Sequence, residues 1–394
     1  MTRKGDHRYN ILFAFLFGAI IAVPLVSQLT GWYKSPEVSE RENRNLAKQP
    51  EFDMSLLDPF PPLYEAWYND HFFMREKLID LNIWSQLNIM QESPFPDKVT
   101  IGKDGWLFDA AKERELYEGN MSIPPEGYRY IMQELHMRTL WYRSQGIRFY
   151  VLIAPLKHDI YPEYLPAYYH RAPGGTLTDK LVNYIRKDTV IRLITAKEEL
   201  LAQKNRFRLY AKLDNHWNFI GGYFGYRALM NEISRDFPQV KPLEISEFGF
   251  REDESHGGNL AGMIGLTGKV REETWIPEFP NLKSVRDPGP QDTLPDAFPF
   301  LNDSEVHRHI PDSRMPSILV IRDSYGIHLF PFISETFGMT TFYFDGWNYH
   351  LNADIALREK PDIVVLEIFE PYFKNVLYYS LDLVMEEYRR THPQ

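Results

Sequence analysis

The feature that most constrains this chain is an alternation near its C-terminal end. Ser317-Ile-Leu-Val-Ile321, Thr340 to Phe344 and Ile363 to Ile368 are short, nearly continuous apolar runs. Between them, Ile327 to Phe337 and Ala353 to Glu359 have helical spacing, and Gly338 stops the first. Unbroken apolar runs suit strands buried on both faces. Strands alternating with helices call for a mainly parallel α/β sheet with helices on both faces. Phe149-Tyr-Val-Leu-Ile153 reads as a further strand of the same kind, after a helix that Pro124-Pro125 opens and Gly146 ends. Other helices are expected over 63–90, 176–187, 195–204, 218–236 and 374–389. A strand is expected over Phe207–Leu213, and a hairpin over 99–108 around Lys103-Asp104-Gly105. Residues 240–311 read as loop-rich.

Two polar stretches sit where such a sheet would expose them. Ser324 directly follows the run ending at Ile321-Arg-Asp and precedes a helix, so its hydroxyl lies at the carboxyl edge of the sheet, near helix N-terminal N–H groups. Lys212-Leu-Asp-Asn-His-Trp-Asn218 follows another expected strand and sets Asp214 and His216 two apart, on one face if the backbone is extended. Serine, histidine and aspartate are the parts of a nucleophilic hydroxyl: the imidazole takes the serine proton and the carboxylate fixes the tautomer. Plainer readings exist. Asp323-Ser324 suits a helix N-cap, Asp214–Trp217 suits a turn with a packed Trp, and Asp-x-His can ligate a metal. No dense His/Asp cluster completes a metal site, so no metal and no cofactor is expected.

The 394 residues, 44 % of them hydrophobic, allow one large core or two moderate ones. A net charge of -10 argues against nucleic acid. The absence of cysteine excludes disulfides, thiolate metal sites and cysteine nucleophiles. At the N-terminus Arg3, Lys4 and Arg8 precede an uncharged run from Ile11 to Val26, with Trp32 and Tyr33 placed for an interfacial belt. No Ala-x-Ala cleavage site follows, so residues 1–33 read as an uncleaved signal anchor, with a cleaved signal peptide as the rival. Residues 34–62 read as a tether and extended wrap, and 63–394 as the exported α/β domain.

Seven pieces in order resemble a known family: Glu42-Asn-Arg-Asn-Leu46, Gly102-Lys-Asp-Gly-Trp-Leu-Phe108, Pro155-Leu-Lys157 with Ile160–Pro166, Asp214-Asn-His-Trp217, Gly258-Asn-Leu260, Arg322-Asp-Ser-Tyr325 and Pro361-Asp362. The chain is similar to periplasmic acetyltransferases of the alginate O-acetylation type, within the SGNH-hydrolase-like (flavodoxin-like) group, and to proteins called after an Asp-His-His-Trp motif. Asn215 stands where that motif often has His, and Asn259 where the Gly-x-Leu piece often has Asp. The resemblance implies a Ser324–His216–Asp214 triad that accepts an acetyl group and passes it to a polysaccharide hydroxyl. It implies a location on the periplasmic side of a bacterial inner membrane, beside a multi-span membrane O-acyltransferase that supplies the acetyl group.

Ser324 N–H is the expected oxyanion donor. Asn259, Tyr325 and the backbone near Ala154 are further candidates. Lys157 is a candidate for holding a carboxylate or sugar oxygen, and Trp217 and Trp347 for stacking on a sugar ring, with core packing the plainer reading of both. Two other functions fit the same residues: an exported carbohydrate acetylesterase with water as acceptor, and a non-catalytic glycan-binding subunit of an exopolysaccharide machine.

Overall fold

A computed structural model describes residues 4–33, 38–39, 44–51, 59–90, 92–287 and 305–378. The chain divides into two compact units, Met1–Pro94 and Phe95–Gln394. The first holds a 27-residue helix, Lys4–Thr30, and a two-residue antiparallel pair, β1 (Val38–Ser39) with β2 (Arg44–Asn45). Among the described residues no helix is long and apolar enough to cross a membrane, so the anchor stays an expectation carried by the sequence. The expected helix over 63–90 is two helices, Phe60–Asp70 and Arg75–Ser85, followed by a π turn at Gln86–Met90. The break falls at Met74, whose φ of 53° lies in the left-handed region that a helix cannot continue through. Residues 63–94 thus belong to the first unit and not to the α/β unit.

The second unit opens with the expected hairpin, β3 (Val99–Ile101) and β4 (Leu107–Asp109), around a loop that places Asp104 and Gly105 at positive φ. Its centre is a seven-stranded sheet. In chain order the strands are β5 (Arg148–Ala154), β6 (Leu193–Thr195), β9 (Val285–Asp287), β10 (Glu305–His309), β11 (Ser317–Arg322), β12 (Met339–Phe344) and β13 (Ile363–Phe369). In space the order is β6-β5-β13-β11-β12-β10-β9. The first five are parallel; β10 and β9 close one edge antiparallel. The central strands are buried along nearly their whole length, as their unbroken apolar runs require. A separate antiparallel ribbon, β7 (Gly249–Ser255) with β8 (Glu272–Glu278), occupies part of the region read as loop. Its alternating charged residues hide its strand character, because both faces are largely wet. The expected final helix lies mostly outside the described residues; Glu370–Tyr378 is a run of 3-10 turns.

Two departures bear on the site. Leu193–Thr195 is an edge strand, so the helix expected from 195 starts only at Lys197. Phe207–Leu213 is no strand of the sheet. The chain there makes one bridge, Tyr210 to Trp217, and bends between them. Asp214 and His216 therefore lie in a closed loop and not at a strand end. Past that loop, Asn218 caps the helix Phe219–Asp236 by accepting from the Ile220 and Gly221 N–H groups. At Gly225 of that helix a Cβ would lie 2.7 Å from the Trp217 ring, so glycine lets the helix lie against the indole.

Candidate active site

Ser324 lies where the alternation puts it. The strand β11 ends at Arg322, and Asp323 turns the chain into the 3-10 segment Ser324–Leu329. Asp323 is the N-cap, accepting from Tyr325 N–H, so the plain reading of that residue holds beside the catalytic reading of its neighbour. The fully buried Asp323 carboxylate also accepts from Tyr349 Oη–H and Phe369 N–H, which ties the serine turn to β13. Burial and the facing Asp323 push the neighbouring Glu367 well above the carboxylate range. The Ser324 N–H stands first in the segment, among the groups that have no intrahelical acceptor, and is available to an oxyanion.

The loop at 211–217 meets that turn. His216 Nε2 lies 2.8 Å from Ser324 Oγ, and His216 Nδ1 lies 2.6 Å from Asp214 Oδ1. The pair arises from an Asx-type turn: Asp214 Oδ1 also accepts the His216 backbone N–H at 3.0 Å. This replaces the extended strand that the sequence pattern suggested. Two more bonds join the stretches, Trp217 Nε1–H to Tyr325 O at 2.9 Å and Tyr325 Oη–H to Asn215 O at 2.7 Å. The Tyr325 ring packs 4.5 Å from the imidazole.

Electrostatics follow from the geometry. Burial opposes charge on His216, but the Asp214 carboxylate overrides it and holds the imidazole above its ordinary value. Burial likewise opposes charge on Asp214, and the imidazole, with N–H groups of Asn259 and His216, more than offsets it, so its carboxyl lies well below the usual range. Asn259 N–H reaches Asp214 Oδ2 at 2.7 Å. The Gly258-Asn-Leu260 piece thereby has a physical reason: a Cβ on residue 258 would sit 2.4 Å from Asp214 Oδ2. A cleft of about 160 Å³ opens beside the pair, with Asp214, His216, Gly258, Thr274 and His328 among its walls.

Three sequence-derived roles are corrected. Lys157 is fully buried, and its Nζ donates to Leu107 O (2.7 Å), Lys212 O (2.9 Å) and Asp214 O (2.8 Å), with the Trp106 and Phe108 rings about it. It holds the protein's own backbone, which uses all three of its N–H groups. Trp217 is fully buried with its N–H bonded, so it stacks on no sugar. Tyr325 has its N–H bonded to Asp323 and its hydroxyl to Asn215, which leaves neither for an oxyanion. Asn259 helps the site through its N–H, already bonded to Asp214, while its side chain stays exposed. Trp347 remains 45 % exposed.

The sequence reading passed over two neighbours. His328, one helical turn past Ser324, lines the cleft with its ring 6.3 Å from His216, and burial pulls it down to about 3, so it stays neutral. Its spacing from Ser324 was the available signal. Glu113 is buried beside His158, and burial pushes it up to about 8. A protonated Glu113 adds no negative charge to compete with Asp214. It comes from a distant helix and carries no signal in the sequence.

Residues 99–293 match a family model described as ALGX, the SGNH hydrolase-like domain of the acetyltransferase AlgX. The match takes in the hairpin, Lys157, Asp214, His216 and Gly258 and stops before Ser324. The chain is 25% identical over 215 residues to the "Probable alginate O-acetylase AlgJ" of Pseudomonas aeruginosa, covering 52% of this chain and 50% of that protein. It is 23% identical over 230 residues to the protein of the same name from Pseudomonas fluorescens, covering 57% and 53%. The chain thus spans about half the length of the curated relatives it matches. In fold it is similar to PatB1 of Bacillus cereus, with a TM-score of 0.50 and 17% identity over 73% of this chain and 98% of that one. Over residues 99–293 the chain is thus similar to the SGNH hydrolase-like domain of the acetyltransferase AlgX, and the curated proteins it resembles are named as probable alginate O-acetylases.

Proposed function

We propose that the protein is a periplasmic O-acetyltransferase that moves an acetyl group, through an acyl-Ser324 intermediate, to hydroxyls of an alginate-like exopolysaccharide. The observation that carries this is the hydrogen-bonded series Ser324 Oγ, His216 and Asp214 at the carboxyl edge of the sheet. His216 Nε2 takes the Ser324 proton as Oγ bonds the acetyl carbon, then passes that proton to the donor's leaving oxygen as its bond to the acetyl carbon breaks. A sugar hydroxyl next gives its proton to His216 while its oxygen attacks the acyl carbon. Ser324 leaves and takes the proton back. The Ser324 N–H faces the oxyanion in both halves.

The same proposal places the protein in the bacterial inner membrane as a single-pass chain with the site in the periplasm, beside a multi-span membrane O-acyltransferase that supplies the acetyl group. Its support is the basic Arg3, Lys4 and Arg8 ahead of the uncharged run Ile11–Val26, a run that lies within the helix Lys4–Thr30. The test is intact-protein mass spectrometry with an activated acetyl ester, on wild type and Ser324→Ala, with and without glycan oligomers. An adduct at Ser324 that discharges onto the glycan is the expected result. Discharge to water alone, whatever glycan is offered, points to an esterase. A folded wild type that forms no Ser324 adduct overturns the reading.

A further inference from the structure

We infer that the surface made by the exposed Trp347 and Lys112 with the half-buried Tyr372 is the acceptor subsite of this centre and holds a carboxylated sugar ring of the polymer. The inference rests on the acyl-serine reading. Trp347 lies three residues past β12 and Tyr372 three past β13, the strands that flank β11 in the sheet or pair with it directly. Both rings therefore emerge at the carboxyl edge that carries Ser324. They lie 5.7 Å apart, and Lys112 Nζ stands 4.6 Å from the Tyr372 ring centre. Among the described residues Lys112 makes no ion pair. Trp347 is 45 % exposed yet held: Phe344 packs edge-on against it, and Asn375 Nδ2 donates to its carbonyl. A half-exposed indole held by its neighbours is a contact surface with little entropy left to lose on binding.

The surface lies near the centre, joined to it through buried rings. Tyr372 packs 6.1 Å from Phe369, Phe369 stacks 4.0 Å from Tyr325, and Tyr325 adjoins Ser324 and lies against His216. A polymer lying on Trp347 is thus a few sugar units or fewer from the acyl-serine. Charge selects the kind of polymer. The β7–β8 ribbon, which helps form the cleft at His216, exposes Glu252 and Glu273, while Arg271 pairs with Glu254 and Arg251 with Asp253 and Glu278; the carboxylates still outnumber the cations, which disfavours a polyanion there. The Trp347 surface offers an ammonium that has no carboxylate partner among the described residues, and the apolar rings that a pyranose needs. An acidic, uronate-type sugar matches both.

The test is calorimetric titration of the full-length chain, solubilised in non-ionic detergent and carrying Ser324→Ala to prevent turnover. The probes are an oligouronate and the same oligomer with its carboxyl groups reduced. Trp347→Ala is expected to weaken both by about tenfold or more, equal to ~1.4 kcal/mol, while Trp347→Tyr keeps most of the affinity. Lys112→Gln is expected to weaken only the acidic oligomer and to flatten its salt dependence. Affinities unchanged in Trp347→Ala and Lys112→Gln, equal losses in Trp347→Ala and Trp347→Tyr, or a parent protein that binds no oligouronate would each overturn the subsite. Acetylation of Ser324 in the wild type is read separately by mass. An adduct without Trp347-dependent binding removes only the subsite. Trp347-dependent binding without an adduct removes the transferase and the acceptor role with it.

Discussion

Replacing Lys157 by methionine separates a backbone clamp from a substrate contact. The lysine gives three charge-assisted hydrogen bonds to carbonyls of Leu107, Lys212 and Asp214, each contributing about 1.5–3 kcal/mol. Against this stands the cost of burial, which pulls the ammonium down to about 7 from an ordinary value near 10.4. At ~1.36 kcal/mol per pH unit that is a net cost of roughly 4–5 kcal/mol for keeping the charge, burial outweighing the attraction of Asp214, Glu113 and Glu272. Lys157→Met loses the bonds, about 4.5–9 kcal/mol together, and is relieved of that cost, for a net loss of about 2 kcal/mol. In a unit of this size that lowers the melting temperature by roughly 4–8 °C. The sign with pH is also fixed. From about 7 to ~10 the unfolded chain binds a proton here that the folded chain has released, so this group makes wild-type stability rise with pH in that window. The variant lacks that rise. Urea unfolding followed by tryptophan fluorescence, at pH 7 and pH 9, measures both. A variant with wild-type stability at both pH values, defective only in turnover that needs the polysaccharide, refutes the clamp and restores the substrate-binding role.

Asp214→Asn removes the carboxylate that holds His216 up while leaving the burial that pulls it down. The acid limb of the pH profile for Ser324 acylation therefore moves to lower pH, and the rate falls by about 10³–10⁴-fold; a rate profile measured against pH checks both. In the wild type, His216 contributes stability below about 6.5 that is lost as pH rises through its folded value. Asp214 contributes stability above about 3.9 that is lost as pH falls through its own. Gly258→Ala places a methyl 2.4 Å from Asp214 Oδ2, and the shifted carboxylate costs roughly 10²-fold or more in acylation rate. Comparing that rate with the unfolding midpoint of the same variant shows whether the damage is local, as expected, or spread through the fold.

The parallel core was legible because burial on both faces leaves unbroken apolar runs, as in Ser317–Ile321 and Ile363–Ile368. The serine was legible for the same reason, since a polar residue directly after such a run has one place to go. The antiparallel additions, β9, β10 and the β7–β8 ribbon, were not. They are wet on one or both faces and rich in charge, so neither apolar runs nor clean alternation marks them. The Asp214–His216 pair was found through an extended backbone that does not exist; an Asx-type turn brings the two side chains together instead. Lys157 shows the limit most clearly. A lysine just past a strand end looks solvated in sequence, and only the carbonyls of Leu107, Lys212 and Asp214, all distant along the chain, reveal that it is buried.

The strand order has a consequence for how this protein comes into being. Among the described residues β13 is the last strand of the sheet along the chain, yet it lies between β5 and β11, which do not pair with each other. Until residues 363–369 are available, β5–β6 and β11–β12 have no shared ladder, and the buried faces of both stay open. Closure must join segments more than two hundred residues apart, a high-contact-order step that is slow and exposes apolar surface while it waits. If the chain is exported as proposed, that delay would help keep it unfolded until β13 has been made.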